Sequence, residues 1–246
     1  MIRYSIIIPF RNRHWHLSKL LPELKKVFKD KNYEIIIARQ DDTKKFRKSS
    51  LLDMAVRHAT GNIFVFHDVD YYPVTTNYFA HTNELDKLAY LPVKRVQFMD
   101  NNMELKHDAD IPSGYRHFKN GVDDDFFGGV VMLSKKVFEQ IGGFNPCFVG
   151  WGCEDADIRM RLIKHNIPYI RGDGSYFALD HKDSNPGNDD VDFIQNNQLL
   201  MDSDKYMNYG THNLSADVVA HPTASGAPPM LYINNFKVDL KNGIQN

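Results

Sequence analysis

Short apolar segments alternate with amphipathic ones over the first 70 residues, and this alternation restricts the fold more than any other feature. Ser5–Ile8, Glu34–Ala38 and Asn62–Phe66 are apolar runs rich in β-branched or aromatic residues, which is typical of buried strands. Apolar residues recur at helical spacing between these runs, and the second such face, Leu51–Ala59, is expected to end at Gly61. Strands separated by helices predict an α/β fold, in which a parallel sheet carries helices on both faces.

Polar clusters follow the first and third predicted strands, at the edge where such sheets bind ligands. The first strand is expected to stop at Pro9, and Pro9–Arg13 then supplies an aromatic ring and two arginines that suit a base or ribose and a phosphate. Without further context, a surface charge pair at a helix entry explains this cluster better. Asp68 and Asp70 follow the third strand, and two carboxylates at this spacing can contact a divalent metal and a nucleotide sugar together. A solvated turn with two acids is the alternative interpretation.

The strongest local signal is Gly150–Asp157, where an aromatic residue between glycines precedes three acids at a helix start. Trp151 offers a flat face for a sugar ring, and a carboxylate here could act as a general base on a sugar hydroxyl. An acid cluster that only complements the helix dipole explains the acids but not the Gly-Trp-Gly. His181 could complete a metal site begun by Asp70, although a single histidine is more often an ordinary surface residue.

Further elements are predicted along the second half of the chain: strands at Val93–Phe98, Tyr169–Ile170 and Met230–Ile233, a long loop at Asp100–Asp125, and helices at Ser134–Ile141, Glu154–His165 and Asp189–Met201.

Composition narrows the class of partner. The 246 residues carry 30 Lys+Arg against 31 Asp+Glu, a net charge of −1, which argues against nucleic acid or an anionic membrane surface held by bulk charge. No apolar run approaches the ~20 residues of a membrane helix. The chain enters its first strand almost at Met1, so no leader or anchor is expected. Cys147 and Cys153 are expected to be free thiols in a reducing compartment.

Taken together, four motifs resemble those of the β-1,4-galactosyltransferase family, which consists of inverting enzymes with the GT-A fold. They occur in the family's order as Ile6–Arg13 (I-I-I-P-F-R-N-R), Phe64–Asp70 (F-V-F-H-D-V-D), Phe127–Val130 (F-G-G-V) and Gly150–Asp157 (G-W-G-C-E-D-A-D). The resemblance implies a Rossmann-like, mostly parallel central sheet flanked by helices in a single catalytic domain, 1–246. Its nucleotide-binding part would be 1–100 and its acceptor-binding part 101–246.

The resemblance also implies roles for individual residues. The catalytic pair would be Asp155, as the base, and Glu154. The metal, Mn²⁺ or Mg²⁺, would be bound by Asp70 and His181. Nucleotide-sugar contacts would come from Pro9, Phe10, Arg11, Arg13, Phe46, Lys48, Asp68, Val69, Asp70, Gly129 and Trp151. Acceptor contacts would come from Trp151, Gly152, Asp155 and Phe126.

Several positions depart from the family pattern. Lys48 replaces an arginine that contacts the nucleotide, Ala156 replaces an acid that helps hold the acceptor, and Ala178 replaces a methionine that ligates the metal. Phe126 replaces a tyrosine that bears on the choice between galactose and N-acetylgalactosamine. The absent membrane anchor implies either a cytoplasmic bacterial or viral relative or a soluble catalytic fragment of an anchored enzyme.

The expected function is therefore metal-dependent, inverting transfer of galactose or N-acetylgalactosamine from a UDP-sugar to a hydroxyl of a glycan acceptor. Two alternatives remain. A carbohydrate-binding or UDP-sugar-binding protein of the same fold could be catalytically weak or inactive. A sugar nucleotidyltransferase also uses paired acids on an α/β sheet, but it needs a Gly-rich, Lys-bearing phosphate loop that Pro9–Arg13 does not provide.

Overall fold

The computed structural model describes residues 1–111, 121–180, 191–202, 213–221 and 230–239. The helices are α1 His14–Val27, α2 Lys48–His58, α3 Lys135–Gln140, α4 Glu154–Lys164 and α5 Val191–Met201. The strands are β1 Tyr4–Phe10, β2 Tyr33–Arg39, β3 Ile63–His67, β4 Tyr71–Thr75, β5 Ala89–Met99, β6 Val130–Ser134, β7 Tyr169–Leu179, β8 Asn213–His221 and β9 Met230–Asp239.

These strands form one sheet in the order β4-β7-β5-β6-β3-β1-β2-β9-β8. Parallel pairing joins β3, β1, β2 and β9, as the strand–helix alternation predicts, and it also joins β5 to β7. The other neighbouring strands of the described ranges pair antiparallel, because β4, β6 and β8 run against their partners. The sheet is therefore a mixed one with a parallel centre.

Two sequence predictions about element ends are wrong. Strand β1 continues through Pro9 to Phe10; it pairs with β2 along this whole length but with β3 only as far as Ile7. Pro9 therefore lies where β1 has one neighbour, a position that tolerates a missing N–H. Helix α2 ends at His58, before Gly61. A Cβ at Gly61 would lie 2.5 Å from Ser5 Oγ, so glycine is required there for close packing against β1.

Strands β1, β2, β3 and β6 are buried on both faces. Ile6 and Ile8 of β1 belong to a core that also contains leucines of α1, whereas Ile7 belongs to a second core with apolar residues of α2, α3 and α4. This alternation is what the two-residue period of a strand requires when both faces are covered. None of the helices in the described ranges combines the length and hydropathy needed to cross a membrane.

The carboxyl ends of β1 and β3 lie side by side, because these two strands are parallel neighbours. The polar segments that follow them are therefore brought to one edge of the sheet. Helix α2 starts at Lys48 and helix α4 at Glu154, and their first residues face the same edge, where Lys48 contacts Asp68 and Glu154. The candidate site is built at this edge.

Candidate active site

Three carboxylates converge on the ammonium group of Lys48. Its Nζ lies 3.0 Å from Asp68 Oδ1, 3.2 Å from Glu154 Oε1 and 3.2 Å from Asp155 Oδ1. The Lys48 side chain is 14% exposed, so this single cation is largely removed from water. Four of the predicted site residues are thus brought together, two from the first part of the chain and two from the second.

Three of these residues, Lys48, Asp68 and Asp155, line a small cavity whose other walls are mostly apolar. Gly129 also lines it, and the apolar walls are formed by Leu52, Phe66, Phe127, Val131, Phe144 and Ile158. An apolar wall next to carboxylates disfavours their charged form, because water is excluded from them.

Asp68 is fixed by the glycine pair that precedes β6. Its N–H donates to the Gly129 carbonyl at 2.8 Å, and the Gly129 N–H donates to Asp68 Oδ2 at 3.3 Å. Gly129 has φ +83°, and a Cβ there would lie 2.4 Å from the Tyr71 ring. A Cβ on Gly128 would lie 2.8 Å from the Phe126 ring and 3.2 Å from Asp155 Oδ2. The glycines therefore allow Asp68, Phe126 and Asp155 to approach one strand start closely.

Burial changes the acid–base properties of the cluster. Burial, reinforced by Glu154 and Asp68, raises the pKa of Asp155 well above the usual range of a carboxyl, although the Lys48 ammonium opposes the rise. Burial also raises the pKa of Asp68, again against Lys48. The pKa of Lys48 is itself raised, because its three acidic neighbours outweigh its own burial. A carboxyl whose pKa is shifted towards neutrality is suited to accept a proton and release it again.

Asp70 lies at the junction of β4 and β7. Its carbonyl accepts the Leu179 N–H at 2.8 Å, and Tyr71 pairs with Ala178 across these antiparallel strands. The other predicted metal ligand, His181, lies outside the described residues, two positions beyond Leu179. Within the described part of the chain, no group of three or more His, Cys, Asp or Glu side chains is arranged to hold a metal.

A second group of predicted residues lies beside the start of α2. The Arg11 guanidinium is 5.1 Å from the centroid of the Phe46 ring and donates to the Lys44 carbonyl at 2.5 Å. Two other predicted residues lie elsewhere. Arg13 directly precedes α1, and Val69 is buried between Asp68 and Asp70. Phe10 differs from the prediction, because its ring is 1% exposed and belongs to the core. Its ring is therefore not available to stack on a base, and only its main chain reaches this edge.

The Gly-Trp-Gly segment is held by α5, a contact that the sequence did not predict. Trp151 packs against Phe193 with ring centroids 5.5 Å apart. The buried Asn196 donates to the carbonyls of Val149, Trp151 and Gly152, each at 3.1 Å. The glycines are needed because a Cβ on Gly150 would clash with Asp192 and one on Gly152 with Phe193.

This segment is also joined to the predicted nucleotide side. The Gly150 N–H donates to the Phe46 carbonyl at 2.8 Å, and Lys45 forms an ion pair with Asp192. Trp151 and Phe46 are therefore on segments that contact each other directly, although they are far apart in sequence.

Two buried polar side chains, His67 and Tyr78, stabilise the main chain of the Asp68–Asp70 turn. His67 Nδ1 is 2.9 Å from the Asp68 carbonyl, and its Nε2 is 2.9 Å from the Tyr78 hydroxyl. Because a carbonyl can only accept, Nδ1 carries the proton and Nε2 accepts from Tyr78. Burial lowers the pKa of His67 to about 4, so its ring is neutral near pH 7. The sequence signal for this role was only the position of a histidine at the end of a buried strand.

Arg171 was another residue missed by sequence reasoning. Its guanidinium donates to the Val93 carbonyl at 2.7 Å and to the carbonyls of Asp124 and Phe126. It thereby fixes the main chain that leads into the two glycines.

Comparison with known proteins shows the family of this chain. A family model described as the N-terminal region of glycosyl transferase group 7 matches residues 1–81, and one described as the N-terminal domain of galactosyltransferase matches residues 115–182. Human β-1,4-galactosyltransferase 4 is 32% identical over 191 residues, which are 73% of this chain and 48% of the relative. The chain belongs to the β-1,4-galactosyltransferase family. It spans about half the length of the relatives it matches.

Solved structures of this family share the fold. The catalytic domain of Drosophila β-1,4-galactosyltransferase 7, in complex with xylobiose, superposes with a TM-score of 0.70 at 17% identity, covering 98% of this chain and 96% of that one. A mutant of the same enzyme, in complex with manganese, UDP-Gal and xylobiose, gives a TM-score of 0.67 at 15% identity with the same coverage. These matches confirm the predicted GT-A fold.

The positions that depart from the β-1,4-galactosyltransferase pattern are now placed. Ala178 is buried opposite Tyr71 and offers no ligand atom. Ala156 packs with Phe148 and Leu200 between α4 and α5. The third acid of the segment, Asp157, is fully buried and paired with Arg161 at 2.8 Å. Of the three acids predicted to form one cluster, only Glu154 and Asp155 therefore face the site.

Proposed function

We propose that this chain is a metal-dependent, inverting glycosyltransferase that moves a sugar from a UDP-sugar to a hydroxyl of a glycan acceptor, forming a β linkage. Galactose or N-acetylgalactosamine is the expected sugar, and Phe126, which keeps the bulk of the family's tyrosine, favours galactose. Family membership supports the reaction class, and the solved relative bound to manganese, UDP-Gal and xylobiose supports the substrates.

The observation that carries the proposal is the convergence of Asp68, Glu154 and Asp155 on Lys48. It joins the aspartate expected at the nucleotide sugar to the expected base in one cavity, with one cation between them. The raised pKa of Asp155 supports its assignment as the proton acceptor, because such a carboxylate is a stronger base than an ordinary one.

The chemistry is a single displacement. Asp155 takes the proton from the acceptor hydroxyl, whose oxygen attacks the anomeric carbon of the donor. The bond between that carbon and the diphosphate oxygen breaks, UDP leaves with the electron pair, and the configuration is inverted. Arg11 and Arg13, which follow β1 in the sequence, would bind the diphosphate, and Trp151 would contact a sugar with its ring.

Asp70 and His181 are the residues that would hold a Mn²⁺ ion. Asp70 supplies the hard oxygen ligand that such an ion prefers, and its carbonyl accepts the N–H of Leu179, two residues before His181 in the sequence. When bound by Asp70 and His181, the ion would neutralise charge that develops on the leaving UDP.

The decisive experiment replaces the expected base. We expect Asp155→Asn to lower Mn²⁺-dependent UDP release in the presence of acceptor by about 10²–10⁴-fold, because the hydroxyl proton then has no acceptor. UDP binding, measured by calorimetry, should persist, since Asp155 is not expected at the nucleotide. The exposed Asp30→Asn variant is the control and should keep wild-type turnover. Unchanged turnover in Asp155→Asn would overturn the assignment of the base.

A second candidate function rests on Ala178, which removes one family ligand from the metal site. A UDP-sugar-binding protein without transfer activity would bind UDP equally well with and without Mn²⁺. The same calorimetry therefore separates the two functions. The division of labour between 1–100 for the nucleotide and 101–246 for the acceptor stays a prediction.

A further inference from the structure

Lys48 occupies a position where a cation is unfavourable unless something compensates it. It is the first residue of α2, and the first turn of that helix contains no acidic residue. The N-terminal end of a helix carries partial positive charge, which repels a cation there. The compensation comes from outside the helix, since Asp68 follows β3 and both Glu154 and Asp155 belong to the first turn of α4.

The contacts of Lys48 are shared among these acids. Its Nζ is 3.0 and 3.1 Å from the two Asp68 oxygens and 3.2 and 3.4 Å from the two Asp155 oxygens. A lysine ammonium is a compact charge with three donors, so it can be shared by several carboxylates at once. The side chains of Glu154 and Asp155 are 13% and 31% exposed, so solvent replaces this cation poorly.

The charged groups that face Asp155 come from three elements. Lys48 of α2 is the cation, while Asp68 after β3 and Glu154 of α4 are acids that oppose ionisation of Asp155. Arg159, one helical turn further along α4, is engaged by Asp125 and Tyr169. From the segment before β6, Asp155 is approached by Gly128 and the Phe126 ring, which are uncharged.

We infer that Lys48 is a positioning residue whose charge favours the ionised, proton-accepting form of Asp155, and that it thereby sets the lower pH limit of transfer. The inference deepens the proposed function and rests on it, because it takes Asp155 as the base. It gives Lys48 a second role beside the nucleotide contact that the family pattern implies. Two acids alone next to Asp155 would keep it protonated to higher pH, and the shared cation counteracts them.

The test compares two substitutions at one position. Lys48→Met removes the charge and keeps much of the length, whereas Lys48→Arg keeps the charge. The profile of kcat/KM against pH reports the ionisation of groups in the free enzyme. We expect the acidic limb of this profile to move upward by about 1–3 pH units in Lys48→Met, because loss of a cation at this distance raises the pKa of a carboxyl. The limb of Lys48→Arg should stay near that of the wild type.

Three outcomes would overturn the inference. Equal loss of activity at every pH, in a variant whose thermal unfolding shows that it folds, would indicate only a structural or nucleotide-binding role. A limb that moves equally in Lys48→Arg would show that charge is not the cause. If the pH dependence of UDP affinity, measured by calorimetry, moved as far as kcat/KM, the titrating group would be Asp68 on the nucleotide side.

Failure here is distinguishable from failure of the proposed function. An inactive Asp155→Asn enzyme together with an unmoved limb in Lys48→Met would leave Asp155 as the base and remove only the role of Lys48. An active Asp155→Asn enzyme would remove the base assignment, and the inference about Lys48 with it.

Discussion

At the scale of single residues, Asn196 is a side chain on which the geometry of the Trp151 segment depends. It is 5% exposed and contacts main-chain groups of Val149, Trp151 and Gly152 from a different element. We expect Asn196→Ala to lower the free energy of unfolding by about 1–3 kcal/mol, because buried carbonyls lose their donor. It should also raise the KM for acceptor, because Trp151 and Gly152 are both expected to contact the acceptor. Urea unfolding and steady-state kinetics measure the two effects.

The neighbouring Gln195 provides a matched control, since it carries the same kind of amide on the exposed side of α5. Gln195→Ala should leave stability and the KM for acceptor nearly unchanged. An unchanged KM for acceptor in an Asn196→Ala protein of lowered stability would contradict a role of Asn196 at the Trp151 segment.

Neither Asn196 nor the contacts of Lys48 could be predicted from the sequence. Asn196 bonds to residues 44–47 positions away, and nothing in the polar pattern of α5 marks it. Lys48 could be aligned with a family arginine, but its three carboxylate partners depend on where the starts of α2 and α4 meet in space. Trp151, Asp68 and Asp155 could be named as candidates from the sequence, because each lies in a local motif with recognisable chemistry; their roles stay predictions.

At the scale of elements, α4 has a functional end and a structural interior. Asp157 and Arg161 form a buried pair within the helix, and Arg161 also donates to the Ile141 carbonyl beyond α3. We expect Arg161→Met to lower the free energy of unfolding by about 3–5 kcal/mol, because it leaves the carboxylate of Asp157 buried without its cation. Denaturant unfolding followed by circular dichroism measures this loss.

Helix α3 offers a pair with the same spacing on the surface. Lys135 and Glu139 are 3.9 Å apart, with side chains 57% and 64% exposed. Lys135→Met should change stability by less than about 0.5 kcal/mol, because water screens such a pair. If Arg161→Met and Lys135→Met lowered the free energy of unfolding by similar amounts, burial would not make the Asp157–Arg161 pair more stabilising than the surface pair.

Helices and strands with a regular spacing of apolar residues were predicted well, whereas those whose pattern is interrupted by proline or glycine were not. The centre of β1 and the helices α2 and α4 follow from apolar spacing and from their acidic or basic ends. Strand β4 was missed because it directly follows Asp70 and contains Pro73, which is tolerated at the edge of a sheet. Only the first two residues of β7 were predicted, because Gly172 and Gly174 interrupt its pattern. A Cβ on Gly172 would clash with the Tyr90 side chain, and a Cβ on Gly174 would clash with the Pro92 carbonyl. Glycine is therefore required at both positions for β7 to pack against β5.

At the scale of the whole molecule, buried acids make stability depend on pH. Burial raises the pKa of Asp53 to about 7, although the Phe144 N–H that it accepts opposes the rise. The folded protein therefore binds a proton that the unfolded chain has already lost, so this stabilisation is full at acid pH and declines as pH rises from about 4 to about 7. The stability of the wild type relative to Asp53→Asn should fall over this range in urea unfolding at several pH values.

A second variant separates the charge from the hydrogen bond. Asn keeps an oxygen that can accept the Phe144 N–H, whereas Asp53→Ala loses it. Both variants should change the pH dependence in the same way, with Asp53→Ala less stable throughout. A constant difference between wild type and Asp53→Asn would contradict a raised pKa at this position.

The order of strands in the sheet has a consequence for how the chain can be divided. Strand β6 lies between β3 and β5, and β7 lies between β5 and β4. A fragment that ends at residue 100 would keep β5 and β4 but lose every strand that joins them to each other and to β3. Residues 1–100 and 101–246 thus contribute interleaved strands to one sheet and are not separable modules. Any truncation meant to isolate one of the two proposed substrate sites would remove strands that support the other.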